Sequence, residues 1–149
     1  IVFGDWSSDV CSSDLFPENW WVMNLLPNGR AELVLGEGRG AGLSVRPATT
    51  QTVSTDAWTH LVAVADRQAG EVRWYLNGTL DSTTPIPATM NKGLHGAGQE
   101  ISIPSSHKPF RGLIGDFRIY RQALPPERIL ELYREQAERR ASTAFERVE

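Results

Sequence analysis

Cysteine is nearly absent from this chain of 149 residues: Cys11 is the only one. A single thiol cannot close an intramolecular disulfide, and zinc sites built on sets of cysteines are excluded with it. Long hydrophobic runs are missing too. No stretch approaches the ~18 apolar residues that a membrane-spanning helix needs, so membrane insertion is not expected, and no signal peptide is visible. Charge of one sign is equally scarce, with 15 Lys and Arg against 18 Asp and Glu and a formal net charge of −3. A mixed-sign chain without a basic stripe has no electrostatic footprint for nucleic acid and no polybasic patch for a membrane surface.

The N-terminal run GDWSSDVCSSDL, Gly4 to Leu15, is unlike the rest of the chain. Its apolar residues recur at neither period 2 nor period 3.6, and its serines and aspartates are those of a turn or irregular segment. Codon by codon, Gly4 to Asp14 resembles a translated short-read sequencing adapter, with a Leu codon begun after it. Residues 1–15 are therefore expected to be a non-native leader and are set apart from the fold reasoning. Asp5, Asp9 and Asp14 go with it, three of the acidic side chains and no basic one, which leaves the remainder electrically balanced.

Residues 16–124 read as antiparallel β structure. Short apolar or alternating segments, WWVMNLL (20–26), RAELVLG (30–36), GLSVR (42–46), WTHLVAVAD (58–66), EVRWYL (71–76), EISIP (100–104) and GLIGDFRIYR (112–121), are separated by turn clusters. Such spacing without helices in between predicts a β-sandwich. Asn-Gly at 28–29 and 77–78 readily takes the positive φ angles of a tight hairpin, and DRQAG at 66–70 makes a longer turn; hairpins are predicted over about 20–35, 58–76 and 71–83. Alternation sets Val72, Trp74 and Leu76 on one face, with Arg73 and Tyr75 opposite. The same reading puts Leu113, Phe117 and Ile119 on a core face, leaving Asp116, Arg118 and Tyr120 outside. Residues 83–99 have no period and read as a loop.

Residues 125–149 read as a helix and linker. Pro125 and Pro126 stop the last strand and suit the first positions of a helix, and ERILELYREQAERR then places Ile129, Leu130, Leu132 and Tyr133 on one side. After Tyr133 the stripe thins to Ala137, Ala141 and Phe145.

The series WTHLVAVADRQAGEVRWYLNGTL (58–80) and FRGLIGDFRIYRQALPPERILELY (110–133) resembles the laminin G-like, concanavalin A-like jelly roll superfamily, particularly its bacterial modules. The resemblance covers residues 58–133 well and 20–46 loosely. It implies an antiparallel jelly-roll β-sandwich with a C-terminal α-helix, here incomplete because the strands that open the fold are not evident after the leader. It also implies an extracellular, periplasmic or cell-surface setting, other domains in the same polypeptide, and a glycan or protein ligand. A structural calcium site held by an acidic residue of the terminal strand occurs in some relatives, and Asp116 is the matching residue. The family's Ile-Asp-Glu stands here as Ile-Gly-Asp, which moves the acid by one position and so to the other face of a regular strand.

Other chemistry finds weaker support in the residues. Retaining β-glucanases of the same fold carry two carboxylates about 5–5.5 Å apart; the nearest local pair, Glu32 and Glu37 in ELVLGE, is offset by an odd number of residues and falls on opposite faces, so no catalysis is expected. GEGRGAG (36–42) lacks the Lys-Ser/Thr ending and the following helix of a phosphate loop. His60, His95 and His107 are too far apart in sequence to suggest a metal site, and His60 on its strand reads as a structural histidine. NGT at 77–79 matches a glycosylation acceptor, but the hairpin turn is reason enough for it. Trp20, Trp21, Trp58 and Trp74 could stack on sugar rings, but adjacent Trp20 and Trp21 must point to opposite faces, so at most one of that pair is an exposed platform, and Trp74 shares the core face. Together these features lead to a non-catalytic carbohydrate- or protein-binding module of a larger secreted or surface protein, with a spacer that packs on a catalytic neighbour as the alternative.

Overall fold

The computed structural model describes residues 19–37, 43–90 and 113–145. Among them lie β1 (Asn19–Leu25), β2 (Arg30–Glu37), β3 (Leu43–Val45), β4 (Ala48–Thr52), β5 (Leu61–Asp66), β6 (Glu71–Leu76), β7 (Thr79–Pro85) and α1 (Pro126–Phe145). β2 is central in the first sheet, with β1 on one side and β3 then β4 along the other; β5, β6 and β7 form a second sheet in that order. Every ladder is antiparallel. The chain is thus an all-β antiparallel sandwich with a C-terminal helix, as the sequence predicts.

The two Asn-Gly turns form by different means. At the first, only Gly29 has a positive φ, 78°, and its N–H donates to the Leu26 carbonyl at 2.8 Å, closing a three-residue loop. At the second, Asn77 and Gly78 are both left-handed, with φ of 50° and 78°, the two-residue turn whose twist matches that of its strands. Leu130 and Tyr133 of α1 lie directly over Gly78, so a side chain there would meet both a strained backbone and a crowded helix.

Register decides which residues make the core. Trp21, Met23 and Leu25 pair with Leu35, Leu33 and Ala31, and this inward row packs against Leu61, Val72, Trp74 and Leu76 of the second sheet. On the far side of the second sheet, Val62, Val64 and Tyr75 are covered by Leu124, Ile129 and Leu132. Three layers result, sheet on sheet on helix, because β5 and β6 each carry apolar residues on both faces. The helix begins where Pro125 offers its carbonyl to the N–H groups of Arg128 and Ile129 at 3.1 and 3.3 Å.

Trp74 is fully buried at the centre. Its indole N–H donates to the Pro47 carbonyl at 3.1 Å, and the same carbonyl accepts the Leu33 N–H at 2.9 Å. Pro47 sits between β3 and β4, so one oxygen joins both sheets. A second link closes the β4–β7 edge. Asp81 accepts the Thr50 hydroxyl at 2.7 Å and the Gln51 N–H at 3.0 Å, and Ser82 donates to the Ala48 carbonyl at 3.0 Å. Burial opposes ionisation of Asp81, but the bonds from Thr50, Gln51 and Ser82 outweigh it and hold the carboxyl below its ordinary value.

Two sequence expectations are corrected. Residues 113–120 do not form the strand read from GLIGDFRIYR; they run irregularly, with no ladder among the described residues. Asp116 takes a φ of 53°, which breaks the extended run, and Arg118 folds back to donate to both of its oxygens at 2.7 and 2.8 Å. Alternation is lost with the strand, so Leu113, Phe117 and Ile119, expected in the core, are exposed, Leu113 by 71%. The second correction is at β5, which starts at Leu61 and leaves Trp58, Thr59 and His60 ahead of it. Residues 1–15, expected to be a leader, the glycine-rich run beyond Glu37, residues 91–99 of the expected loop and EISIP (100–104) lie outside the described residues.

Replacing Trp74 by Phe removes the indole donor and leaves a small void while the Pro47 carbonyl keeps its Leu33 bond. The expected loss is about 1–3 kcal/mol in urea unfolding; an unchanged midpoint would show that the indole bond does not hold the sheets.

Candidate functional site: a cleft at the edge of β5

A cleft of about 260 Å³ opens at the β1–β5 edge of the sandwich, across from the bonds of Asp81. Its floor is Trp21, Met23, Leu33 and Leu35 of the first sheet. One wall is β5 and the other is residues 116–124, backed by Leu132 and Gln136 of α1. Leu61, Ala63 and Ala65 line it, and so do Val62 and Val64. Successive strand residues point to opposite faces, so a cleft touching both sets lies against the edge of the strand rather than over one face. Pockets for drug-sized ligands measure roughly 300–1,000 Å³; this smaller, mostly apolar space suits side chains.

Polar groups gather at one end. Gln136 donates from Nε2 to Asp116 at 2.9 Å, beside the Arg118 fork. Its Oε1 is buried with no hydrogen-bond partner among the described residues, as is Nδ1 of His60. The His60 main-chain N–H is held by the Asn77 side-chain oxygen at 2.9 Å, and its ring lies 5.9 Å from that of Tyr133. Burial pushes the imidazole down to about 4, and the positive charges of Arg140 and Arg118 act in the same direction. His60 is therefore neutral at pH 7, a buried structural histidine.

Asp116, the residue matched to a calcium ligand, accepts hydrogen bonds from Arg118 and Gln136. The Arg118 guanidinium holds its carboxyl below the ordinary carboxylate range, with Gln136 contributing. Calcium takes about six to eight oxygens, whereas the groups around this carboxylate are nitrogen donors. No cluster of three or more His, Cys, Asp or Glu is placed to hold a metal among the described residues. Glu32 and Glu37 also stay apart: Arg46 reaches Glu32 at 3.4 Å and Arg67 reaches Glu37 at 3.2 Å.

The tryptophans divide as the register requires. Trp20 lies on the outer face of the first sheet across from Gly36, whose missing Cβ leaves room for its ring. Trp21 points inward to the cleft floor, and both rings are half-buried. The exposed platform is instead Trp58, at 45% exposure, with the Arg140 guanidinium 4.3 Å from its ring centroid. Gly115 lies against the same ring, and exposed Leu113, Phe117, Ile119 and Tyr120 follow on that segment. Strand parity gave no signal for this, since His60, Val62 and Val64, which share the parity of Trp58, are covered by α1, and Trp58 lies ahead of the strand.

Two stacked antiparallel sheets, with the connections described, define a lectin-type β-sandwich. The chain belongs to the concanavalin A-like lectin/glucanases superfamily, whose laminin G family matches residues 3–130. No curated protein matches it. Among solved structures it is similar to an S-layer domain-containing protein from Clostridium thermocellum, at 18% identity and a TM-score of 0.35, covering 89% of this chain and 64% of that one. The chain thus spans less than two thirds of that structure. No helix among the described residues is long and apolar enough to cross a membrane.

The unfolded chain binds a proton at His60 near 6.5 and the folded chain only near 4, so stability from keeping this ring neutral is complete above pH 6.5 and lost as pH falls toward 4. Wild type should lose up to about 3 kcal/mol more than His60→Phe across that window; parallel pH profiles of the two in urea unfolding would refute the assignment. Calcium should leave the thermal midpoint unchanged. A rise with calcium that disappears in Asp116→Asn would restore Asp116 as a ligand.

Proposed function

We propose that this chain is a non-catalytic binding module of a larger secreted or surface protein, and that it takes its ligand at the patch formed by Trp58 and residues 113–120. The observation that carries the reading is the exposure of Trp58, Leu113, Phe117, Ile119 and Tyr120 together beside an open cleft. Contiguous exposed apolar side chains mark interaction surfaces. Of the two ligand classes the superfamily suggests, protein fits better than glycan, because Leu113 and Ile119 offer aliphatic surface where a sugar ring would call for aromatic faces. Support for a non-catalytic role comes from Glu32 and Glu37, each facing its own arginine. Among the described side chains of α1 the spacer alternative finds little support: the apolar side is used against Val62, Val64 and Tyr75, and Arg128, Glu131, Glu135 and Arg139 form ion pairs with one another.

Trp58→Ala should abolish binding on arrays of extracellular proteins and glycans. Its cost to stability should stay near 1 kcal/mol, the scale of an exposed cation–π contact. Binding of wild type to glycans alone would replace protein by carbohydrate as the ligand; binding to neither array would sink the proposal.

A further inference from the structure

On the side of β5 away from β6, no strand lies beside its main chain among the described residues. The Asn77 N–H donates to the His60 carbonyl at 2.8 Å, and the next pair along the ladder is Leu61 with Leu76. Antiparallel neighbours alternate between pairs that exchange hydrogen bonds and pairs that do not. The bonded pairs are therefore Val62 with Tyr75 and Val64 with Arg73, and the N–H and C=O groups of Leu61, Ala63 and Ala65 point away from β6. Because β5 ends its sheet, these groups face the cleft. Main-chain polar groups facing apolar surroundings without partners are costly.

Two side-chain atoms share that condition. His60 Nδ1 and Gln136 Oε1 both lack a partner among the described residues, on residues only 5% and 7% exposed, and both residues line the same cleft. The floor of Trp21, Met23, Leu33 and Leu35 is apolar, and the wall opposite β5 has no ladder of its own. At its rim Arg118 is paired with Asp116, so the net positive charge is that of Arg121. The other edge of the sandwich is tied by Asp81, whereas the outward groups of Leu61, Ala63 and Ala65 have no ladder partner among the described residues.

We propose that the cleft is a strand-acceptor site: an extended segment of a partner polypeptide, apolar at every second position and acidic between, adds to the edge of β5. Main-chain bonds to Leu61, Ala63 and Ala65 supply its hold, and its apolar side chains fill the space above Trp21 and Leu35, the division of labour seen wherever an extended peptide joins a sheet edge. The acidic residues meet Arg121 at the rim. This inference rests on the reading of the chain as a protein-binding module and names the form in which the ligand is taken.

The probe is a capped peptide of about seven residues alternating valine and glutamate, long enough to run beside β5 at ~3.3 Å per residue. Added to the full chain, it should shift the NMR amide signals of Leu61, Ala63 and Ala65 and slow their hydrogen exchange. N-methylation of the peptide amides that face β5, which spares the side chains, should weaken binding about tenfold or more, and a valine–lysine peptide should also bind more weakly. Ala63→Pro removes one outward N–H without touching a bond to β6 and should weaken binding similarly; if that variant does not fold, the N-methylated peptide decides. Binding that survives N-methylation, or no binding of the valine–glutamate peptide, overturns the strand site. Protection of these amides without peptide, together with dimers in sedimentation, overturns the partner in favour of a second copy. Loss of array binding in Trp58→Ala with no change at β5 sinks the strand site and leaves the binding module standing.

Discussion

The carbonyl of Pro47 carries the two-sheet structure. It accepts from the Leu33 main chain in the first sheet and from the Trp74 indole in the second, and it lies inside a core where no water could substitute for either donor. An unpaired acceptor there would be costly, so the break between β3 and β4 has to stand where Trp74 can reach it. Proline suits that break, since it has no N–H to satisfy and its fixed φ ends one strand pairing before the next begins. Around this point Leu33, Leu35, Val72 and Leu76 can close together without stranding a polar group.

With the centre held, the two edges of the sandwich behave differently. On the β4–β7 side the polar side chains of Thr50, Asp81 and Ser82 tie one sheet to the other. Thr49 helps by placing a buried hydroxyl where the β2–β4 register slips, accepting the Ala31 N–H at 3.0 Å. On the β1–β5 side there is no such link among the described residues. Residues 113–120 coil past it, held locally by the Asp116–Arg118 pair, and expose their apolar side chains. The proposed site is this asymmetry: an edge whose bonding capacity and apolar floor are both left open among the described residues.

Much of the fold is legible in the residues because its signals are local. The alternation in EVRWYL puts Trp74 inward without any tertiary knowledge, the two Asn-Gly pairs specify their hairpins, and Pro125 with Pro126 starts the helix. β4 is not marked in this way, since ATTQT has no apolar alternation and is a strand only because β2 offers it an edge and Asp81 a cap. The segment GLIGDFRIYR shows the opposite failure. Its alternation is as good as that of EVRWYL, but a ladder needs a neighbour's main chain, and the left-handed Asp116 follows from the Arg118 and Gln136 contacts rather than from the pattern. The site was less legible than the fold: Trp20 and Trp21 drew attention as a pair, while the exposed ring is Trp58, whose exposure depends on where the helix and residues 113–120 lie.

By itself the sequence determined the fold class, the hairpins, the helix and the inward face of β6, because period-2 alternation, turn chemistry and proline act over a few residues. Tertiary structure alone decided that Pro47 and Trp74 meet, that Asp116 pairs with Arg118 and Gln136, and that β5 ends its sheet beside an apolar cleft. Those facts depend on which groups from distant segments come within hydrogen-bonding reach, and no local pattern encodes that distance.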